Sequence, residues 1–117
     1  MELTKAGTIF WIKIINRKDC CGKRLSNIEA RVGKNKITAE TSENILNNKL
    51  CGTYFGPARD GEVVYIQCSR PIKGQYVTLQ KLRGKDKIIN IAEVVVVGKS
   101  SGKHTKWIII HNYIYRI

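Results

Sequence analysis

Six short runs rich in β-branched and aromatic residues, separated by turn residues, constrain the fold of this chain most strongly. Such runs of about four to eight residues are typical of β-strands, and no segment shows the period of a long helix. The predicted strands are Thr8–Ile15, Asn27–Gly33, Gly52–Phe55, Glu62–Cys68, Gln75–Leu82 and Ile88–Val97. Turns are predicted between them, one of them at Arg70–Gly74, which contains proline and glycine. The pattern predicts an all-β sandwich.

Two other segments differ in composition from the predicted strands. Lys34–Leu50 is polar and predicts a long loop, with a short helical turn around Glu43–Leu46 as the alternative. Lys99–Lys106 is also polar and predicts a flexible spacer, whereas Trp107–Ile117 is apolar and could form an added strand. We therefore divide the chain into a domain over residues 1–98 and a spacer with an apolar tail over residues 99–117.

Composition narrows the classes of partner. The net charge is +12, from 21 Lys+Arg against 9 Asp+Glu, which predicts attraction to polyanions such as heparan sulfate or nucleic acid. The alternative is a solvated surface, because the lysines are spread over many loops and most aromatic residues lie in strand-like runs. No apolar run approaches the ~20 residues of a membrane helix, so no membrane span is predicted.

Catalytic motifs are lacking in the sequence. It has no evident nucleophile–base pair, paired carboxylates, phosphate-binding glycine loop or paired C-x-x-C spacing of a zinc site, so we do not expect an enzyme. The four cysteines instead favour two disulfides and an oxidising compartment. The N-terminal residues do not show a signal-peptide pattern, which is at odds with that compartment.

The segment Asn16–Arg24 reads N-R-K-D-C-C-G-K-R and carries the densest group of candidate site residues. Cys20 and Cys21 can either oxidise to each other, giving a small exposed sulfur surface, or pair with other cysteines. Arg17 and Arg24 supply only hydrogen-bond donors, and a carboxylate at Asp19 could hold one guanidinium in place. An apolar ledge beside such donors suits a sugar, although a charged surface turn would show the same pattern.

The longer segment I-K-I-I-N-R-K-D-C-C-G-K-R-L-S-N-I-E-A-R-V-G strongly resembles the F-type lectins, or fucolectins, whose domain also occurs in tachylectin-4 and pentraxin-fusion proteins. Their sugar-binding motif is a histidine, a long spacer, R-x-D and a further basic residue, and Arg17, Asp19 and Arg24 match its second half. The family's closing strand is similar to I-A-E-V-V-V-V-G at Ile91–Gly98.

The resemblance implies a jelly-roll β-sandwich, similar to galactose-binding domains, that lacks its first strands. It implies disulfides Cys20–Cys21 and Cys51–Cys68, and a structural calcium ion near the backbone carbonyl of Ala92 and the carboxylate of Glu93. It also implies a secreted lectin of innate immunity whose partners are fucosylated glycans, with a homo-oligomer as one form of assembly.

The resemblance further implies that α-L-fucose is bound by Arg17, Asp19, Arg24 and the Cys20–Cys21 pair. By the family's spacing its histidine would lie before Met1, and His104 and His111 lie in the tail, so neither is assigned to its role. We therefore expect an N-terminally truncated member with impaired sugar binding. The alternative function is a basic protein that binds anionic polysaccharide or nucleic acid through its net charge.

Overall fold

The computed structural model describes residues 2–37, 46–82 and 88–116, and nearly all of these residues lie in β-strands. The strands are β1 (Glu2–Asn16), β2 (Ile28–Gly33), β3 (Lys49–Tyr54), β4 (Val63–Lys81), β5 (Ile88–Ser100) and β6 (Lys103–Arg116), and a short 3-10 helix covers Gly22–Arg24. The predicted all-β class is confirmed. Residues 38–45 of the predicted loop Lys34–Leu50, with nearly all of its possible helical turn, lie outside the described residues, and Lys49 and Leu50 at its end belong to β3.

The strands pair antiparallel in the order β3-β2-β4-β1-β5-β6. The first part of β4, from Val63 to Tyr76, pairs with β1, and its last part pairs with β2 from Tyr76 to Lys81. A disulfide between Cys51 of β3 and Cys68 of β4 holds β3 against the first part of β4 as well. The sheet therefore folds over on itself as a β-sandwich.

One hydrophobic core fills the space between the layers. Alternate residues of the strands point into it, as expected for strands with one buried and one solvated face. Its fully buried members include Ile9, Ile12, Ile14, Leu25, Ile28, Val32, Val77, Val94 and Val96. Each buried aliphatic side chain of this size stabilises the fold by about 1.5–3 kcal/mol before the loss of chain entropy is counted.

The predicted turn at Arg70–Gly74 is wrong, because β4 continues through it and joins two predicted strands into one. Proline is tolerated there for a physical reason. β4 pairs with β1 at Gln67 and again at Ile72, and the register shifts between these positions. Pro71 lies within the shift, so its missing N–H removes no hydrogen bond from the ladder with β1.

The predicted flexible spacer over Lys99–Lys106 is also wrong. Ser101 and Gly102, with φ of 53° and 76°, form a two-residue turn that joins β5 to β6 in a hairpin. The strand suggested for the apolar tail is confirmed as part of β6, which pairs with β5 from Ser100 to Ile88. The domain limit placed at residue 98 stays a prediction. No helix in the described ranges has the length and apolar character to cross a membrane.

Candidate functional site

The segment Arg17–Arg24, here called the disulfide loop, begins where β1 ends. Cys21 has a left-handed backbone, with φ of 65°, and its carbonyl accepts a hydrogen bond from the N–H of Arg24 at 3.0 Å. This 3-10 turn brings the backbone of Arg24 back to Cys21, the second residue of the cysteine pair. The loop therefore presents the cysteines together with the basic residues on either side of them.

Asn16 is the residue that fixes the shape of the loop. Its side chain is fully buried and donates from Nδ2 to the carbonyl of Gly22 at 3.0 Å and to that of Arg59 at 2.9 Å. Its Oδ1 accepts the N–H of Arg17 at 3.1 Å. One amide thus satisfies backbone groups at both ends of the disulfide loop and in a second loop.

That second loop, Phe55–Glu62, braces the first and is called the bracing loop below. Gly61 donates its N–H to the carbonyl of Arg17 at 2.8 Å, and Asp60 accepts the N–H of Gly22 at 2.7 Å through Oδ1. Gly22 is required for this packing, since a Cβ at that position would lie 2.6 Å from the backbone nitrogen of Asp60. The site is therefore built from two loops that meet backbone to backbone.

Lys81, at the end of β4, supports the loop from the core side. It is only 5% exposed, and its ammonium donates to the carbonyl of Arg24 and to Oγ of Ser26. Sequence reasoning missed both Lys81 and Asn16 as site residues. The sequence did contain a sign that both are buried, because each lies in phase with the alternate residues of its strand that face the core. Asn16, for example, follows Ile12 and Ile14 in β1.

Arg17 and Asp19 form a bidentate ion pair at the loop surface. Arg17 donates from Nε to Oδ1 of Asp19 at 2.6 Å and from a terminal nitrogen to Oδ2 at 2.5 Å. These hydrogen bonds are the main reason that the pKa of Asp19 is lowered from 3.8 to about 2, and they also raise the pKa of Arg17. The carboxylate therefore stays charged at neutral pH and fixes the orientation of the guanidinium. Of the five N–H donors of a guanidinium, the described hydrogen bonds use two.

The cysteines pair as the family resemblance implied. Cys20 is bonded to Cys21, and both are exposed, whereas the second disulfide joins Cys51 to Cys68, which are 2% and 6% exposed. The alternative in which the neighbouring cysteines pair elsewhere is wrong. The result is a small exposed sulfur surface that is flanked along the chain by the Arg17–Asp19 pair and by Arg24. Contacts of these five residues with a sugar stay a prediction.

The calcium ligands expected in β5 lie close to the start of the disulfide loop. Glu93 pairs with Ile15 of β1, and Ala92 falls at a register shift between β5 and each of its neighbours. Calcium takes about six to eight oxygen ligands. In the parts of the chain that the structure describes, no group of three or more His, Cys, Asp or Glu side chains could hold a metal ion. These residues do not make a complete calcium site by themselves, and calcium binding stays a prediction.

No family model matches the chain. It is nevertheless similar to several curated proteins named as fucolectins. It is 35% identical over 79 residues to Fucolectin-5 of Anguilla japonica, which covers 68% of this chain and 39% of that protein. Fucolectin-6 of the same species is 34% identical over 96 residues, or 82% of this chain and 46% of its own length. Fucolectin of Anguilla anguilla is 34% identical over 77 residues, or 66% and 45%. The chain spans less than half the length of these relatives.

Proposed function

Because this chain belongs to the F-type lectin family, we propose that it is a carbohydrate-binding module that recognises fucose-type glycans at the disulfide loop. The observation that carries the proposal is the exposed Cys20–Cys21 disulfide between the Arg17–Asp19 pair and Arg24. The names of the relatives support a fucose-type ligand.

Each part of the loop has a role in holding a deoxysugar. The disulfide offers an apolar surface against which a C–H face of the sugar ring packs by dispersion. The guanidinium groups of Arg17 and Arg24 donate hydrogen bonds to hydroxyl and ring oxygens, which have lone pairs to accept them. Asp19 keeps the Arg17 guanidinium oriented before the sugar arrives.

The support beneath the loop reduces the entropy lost on binding. Asn16, the bracing loop and Lys81 already hold the backbone of the disulfide loop through directed hydrogen bonds. A surface that is ordered before binding loses less conformational freedom than a mobile one. A shallow site with few polar contacts therefore still discriminates between sugars by shape.

The proposed setting is extracellular, and the proposed activity is binding without catalysis. Two disulfides support an oxidising compartment. Assembly into a homo-oligomer, a structural calcium ion and weakened sugar binding all stay predictions.

Retention of the chain on fucose-agarose tests the proposal. We expect retention that free L-fucose reverses and that galactose-agarose does not reproduce. Because the ligand is neutral, retention should change little at about 0.5 M NaCl, where exposed charges are strongly screened. Arg17→Gln should weaken retention by about tenfold through the loss of a charged donor.

Arg70→Gln is the matched control, since Arg70 is an exposed arginine of β4 outside the disulfide loop. It removes the same charge and should leave retention unchanged. If the two variants behave alike, the sugar site is not at this loop, and if the unaltered chain passes through fucose-agarose unretained, the chain is not a fucose-binding module.

A further inference from the structure

A second surface lies about halfway along β1, around Thr8, where two adjoining cavities meet. Their volumes are about 690 and 560 Å³, and both are lined by Lys34 and Lys73. Lys99 lines the first cavity and Lys49 the second. All four lysines are exposed, and together they define what is called the lysine groove below.

Strand register fixes the spacing of two of these lysines. Thr8 of β1 pairs with Lys73 of β4 on one side and with Lys99 of β5 on the other. Directly paired residues share a face, and Ile9, which follows Thr8, points into the core. Lys73 and Lys99 therefore project outward, with their Cα atoms two strand spacings, or about 10 Å, apart. His104 of β6 pairs with Lys99 and extends the same row.

A close approach of two glycines brings the third lysine to this row. A Cβ at Gly74 would lie 2.6 Å from the carbonyl oxygen of Gly33, so the end of β2 packs directly on β4. Lys34 follows Gly33 and is placed beside Lys73, which precedes Gly74. The groove is thus held by backbone packing and does not depend on a mobile loop.

The charge of the groove is not neutralised within the described residues. The ion pairs between described residues join Arg17 to Asp19, Arg31 to Glu29 and Arg59 to Glu62, and none of them includes a lysine of the groove. Among the described residues that line the two cavities, there is no Asp or Glu. Tyr76 lines the first cavity, and its hydroxyl donates to the carboxylate of Glu2 at 3.4 Å. Glu2 is therefore a carboxylate close to the groove. Closely spaced ammonium groups in a concave surface focus a positive potential.

We propose that the lysine groove is a second binding site, separate from the disulfide loop, and that it takes a sulfated polysaccharide. Lysine carries a compact charge on a flexible stem, which suits repeated sulfate groups better than one planar, bidentate partner. Two disulfides place the protein where sulfated polysaccharides, rather than nucleic acids, are the abundant polyanions.

The test is binding of a size-fractionated heparin oligosaccharide by calorimetry at about 0.15 M NaCl. Lys73→Gln/Lys99→Gln should weaken binding by about tenfold. It should also reduce the slope of log affinity against log salt concentration by about the amount expected for the loss of two ionic contacts. Lys34→Gln/Lys49→Gln, which leaves the row across β1 intact, should give a similar loss. Thermal unfolding of each variant should match that of the unaltered chain, because these side chains are exposed.

Lys18→Gln/Lys23→Gln removes two exposed lysines of the disulfide loop and lowers the net charge equally. It should leave heparin binding nearly unchanged. Equal losses in all three double variants would show that net charge alone acts, and no loss in the groove variants would show that the groove is not the site. Either result overturns the proposal.

Two further measurements identify the class of ligand and distinguish the lysine groove from the disulfide loop. Single-stranded DNA of equal charge should bind more weakly than heparin, and equal or tighter binding would overturn the assignment to sulfated polysaccharide. Free L-fucose should not displace heparin, and the groove variants should still be retained on fucose-agarose. Failure of sugar binding at the disulfide loop would therefore leave the heparin result, and this inference, standing.

Discussion

The C-terminal end of β1 and its middle carry positive charge in different ways. The disulfide loop follows the last residue of β1. In it, Arg17 is paired with Asp19, and directed hydrogen bonds hold the backbone. About halfway along β1, Lys73 and Lys99 flank Thr8, and the described ion pairs include neither of them. The first surface is defined by shape and the second by charge and spacing. The net charge of +12 therefore does not distinguish two surfaces whose chemistry is different.

The largest effect expected is that of Asn16→Ala, which should damage only one of the two surfaces. The change leaves the carbonyls of Gly22 and Arg59 and the N–H of Arg17 without their partner. Because unsatisfied buried polar groups are expensive, the free energy of unfolding in urea should fall by about 4 kcal/mol. Retention on fucose-agarose should be lost at temperatures where the variant is still folded, while heparin binding should persist.

Asn47→Ala is the control, since Asn47 is exposed and only its backbone carbonyl takes part in a described hydrogen bond. Its free energy of unfolding should stay within about 0.5 kcal/mol of the unaltered chain. Equal stability of the Asn16 variant would show that the amide is not the residue that organises the loop.

The next largest effect is expected from removing the disulfides. We expect one of them to stabilise the fold and the other to shape the surface of the disulfide loop. Cys51→Ala/Cys68→Ala removes a bond between residues 17 apart and should lower the free energy of unfolding by about 3 kcal/mol. Cys20→Ser/Cys21→Ser removes a bond between neighbours, which closes almost no loop in the unfolded chain. It should lower stability by less than about 1 kcal/mol yet abolish retention on fucose-agarose.

The contrast is measured by urea unfolding and fucose-agarose retention on the same two samples. Heparin binding of the Cys20→Ser/Cys21→Ser variant is the internal control and should be unchanged. If that variant kept its sugar binding, the sulfur surface would have no part in the site.

The smallest effect concerns pH at the disulfide loop. The pKa of Asp19 is lowered to about 2 in the folded chain by its hydrogen bonds with Arg17. A lowered carboxyl pKa stabilises the pair above the unfolded value of 3.8, and this contribution disappears as the pH falls through about 2. The ion pair should therefore not change fucose-agarose retention between about pH 5 and pH 8.

Asp19→Asn removes the pair and should lower retention equally across that range. A decline in retention of the unaltered chain between about pH 8 and pH 5 that is absent from Asp19→Asn would contradict the lowered pKa.

The sequence allowed prediction of the strand class, the position of the candidate loop and, through family resemblance, both disulfides. It did not allow prediction of the residues that hold the loop. Asn16 contacts Arg59 across 43 positions, and Lys81 contacts Arg24 across 57. Contacts between such distant residues leave no local pattern, and their only trace is a polar side chain in phase with buried ones. Pro71 led to the wrong prediction of a turn, since proline normally ends a strand. Here it lies at a register shift, where β4 can continue through it.

The length of β1 has a consequence for what one molecule can connect. Thr8 and Asn16 are eight residues apart on one strand, so the lysine groove and the disulfide loop are separated by about 25 Å. A single short sugar cannot occupy both. If both sites act, a fucosylated glycan on one surface and a sulfated chain on another would be bridged by one small protein with a fixed reach, without any oligomerisation.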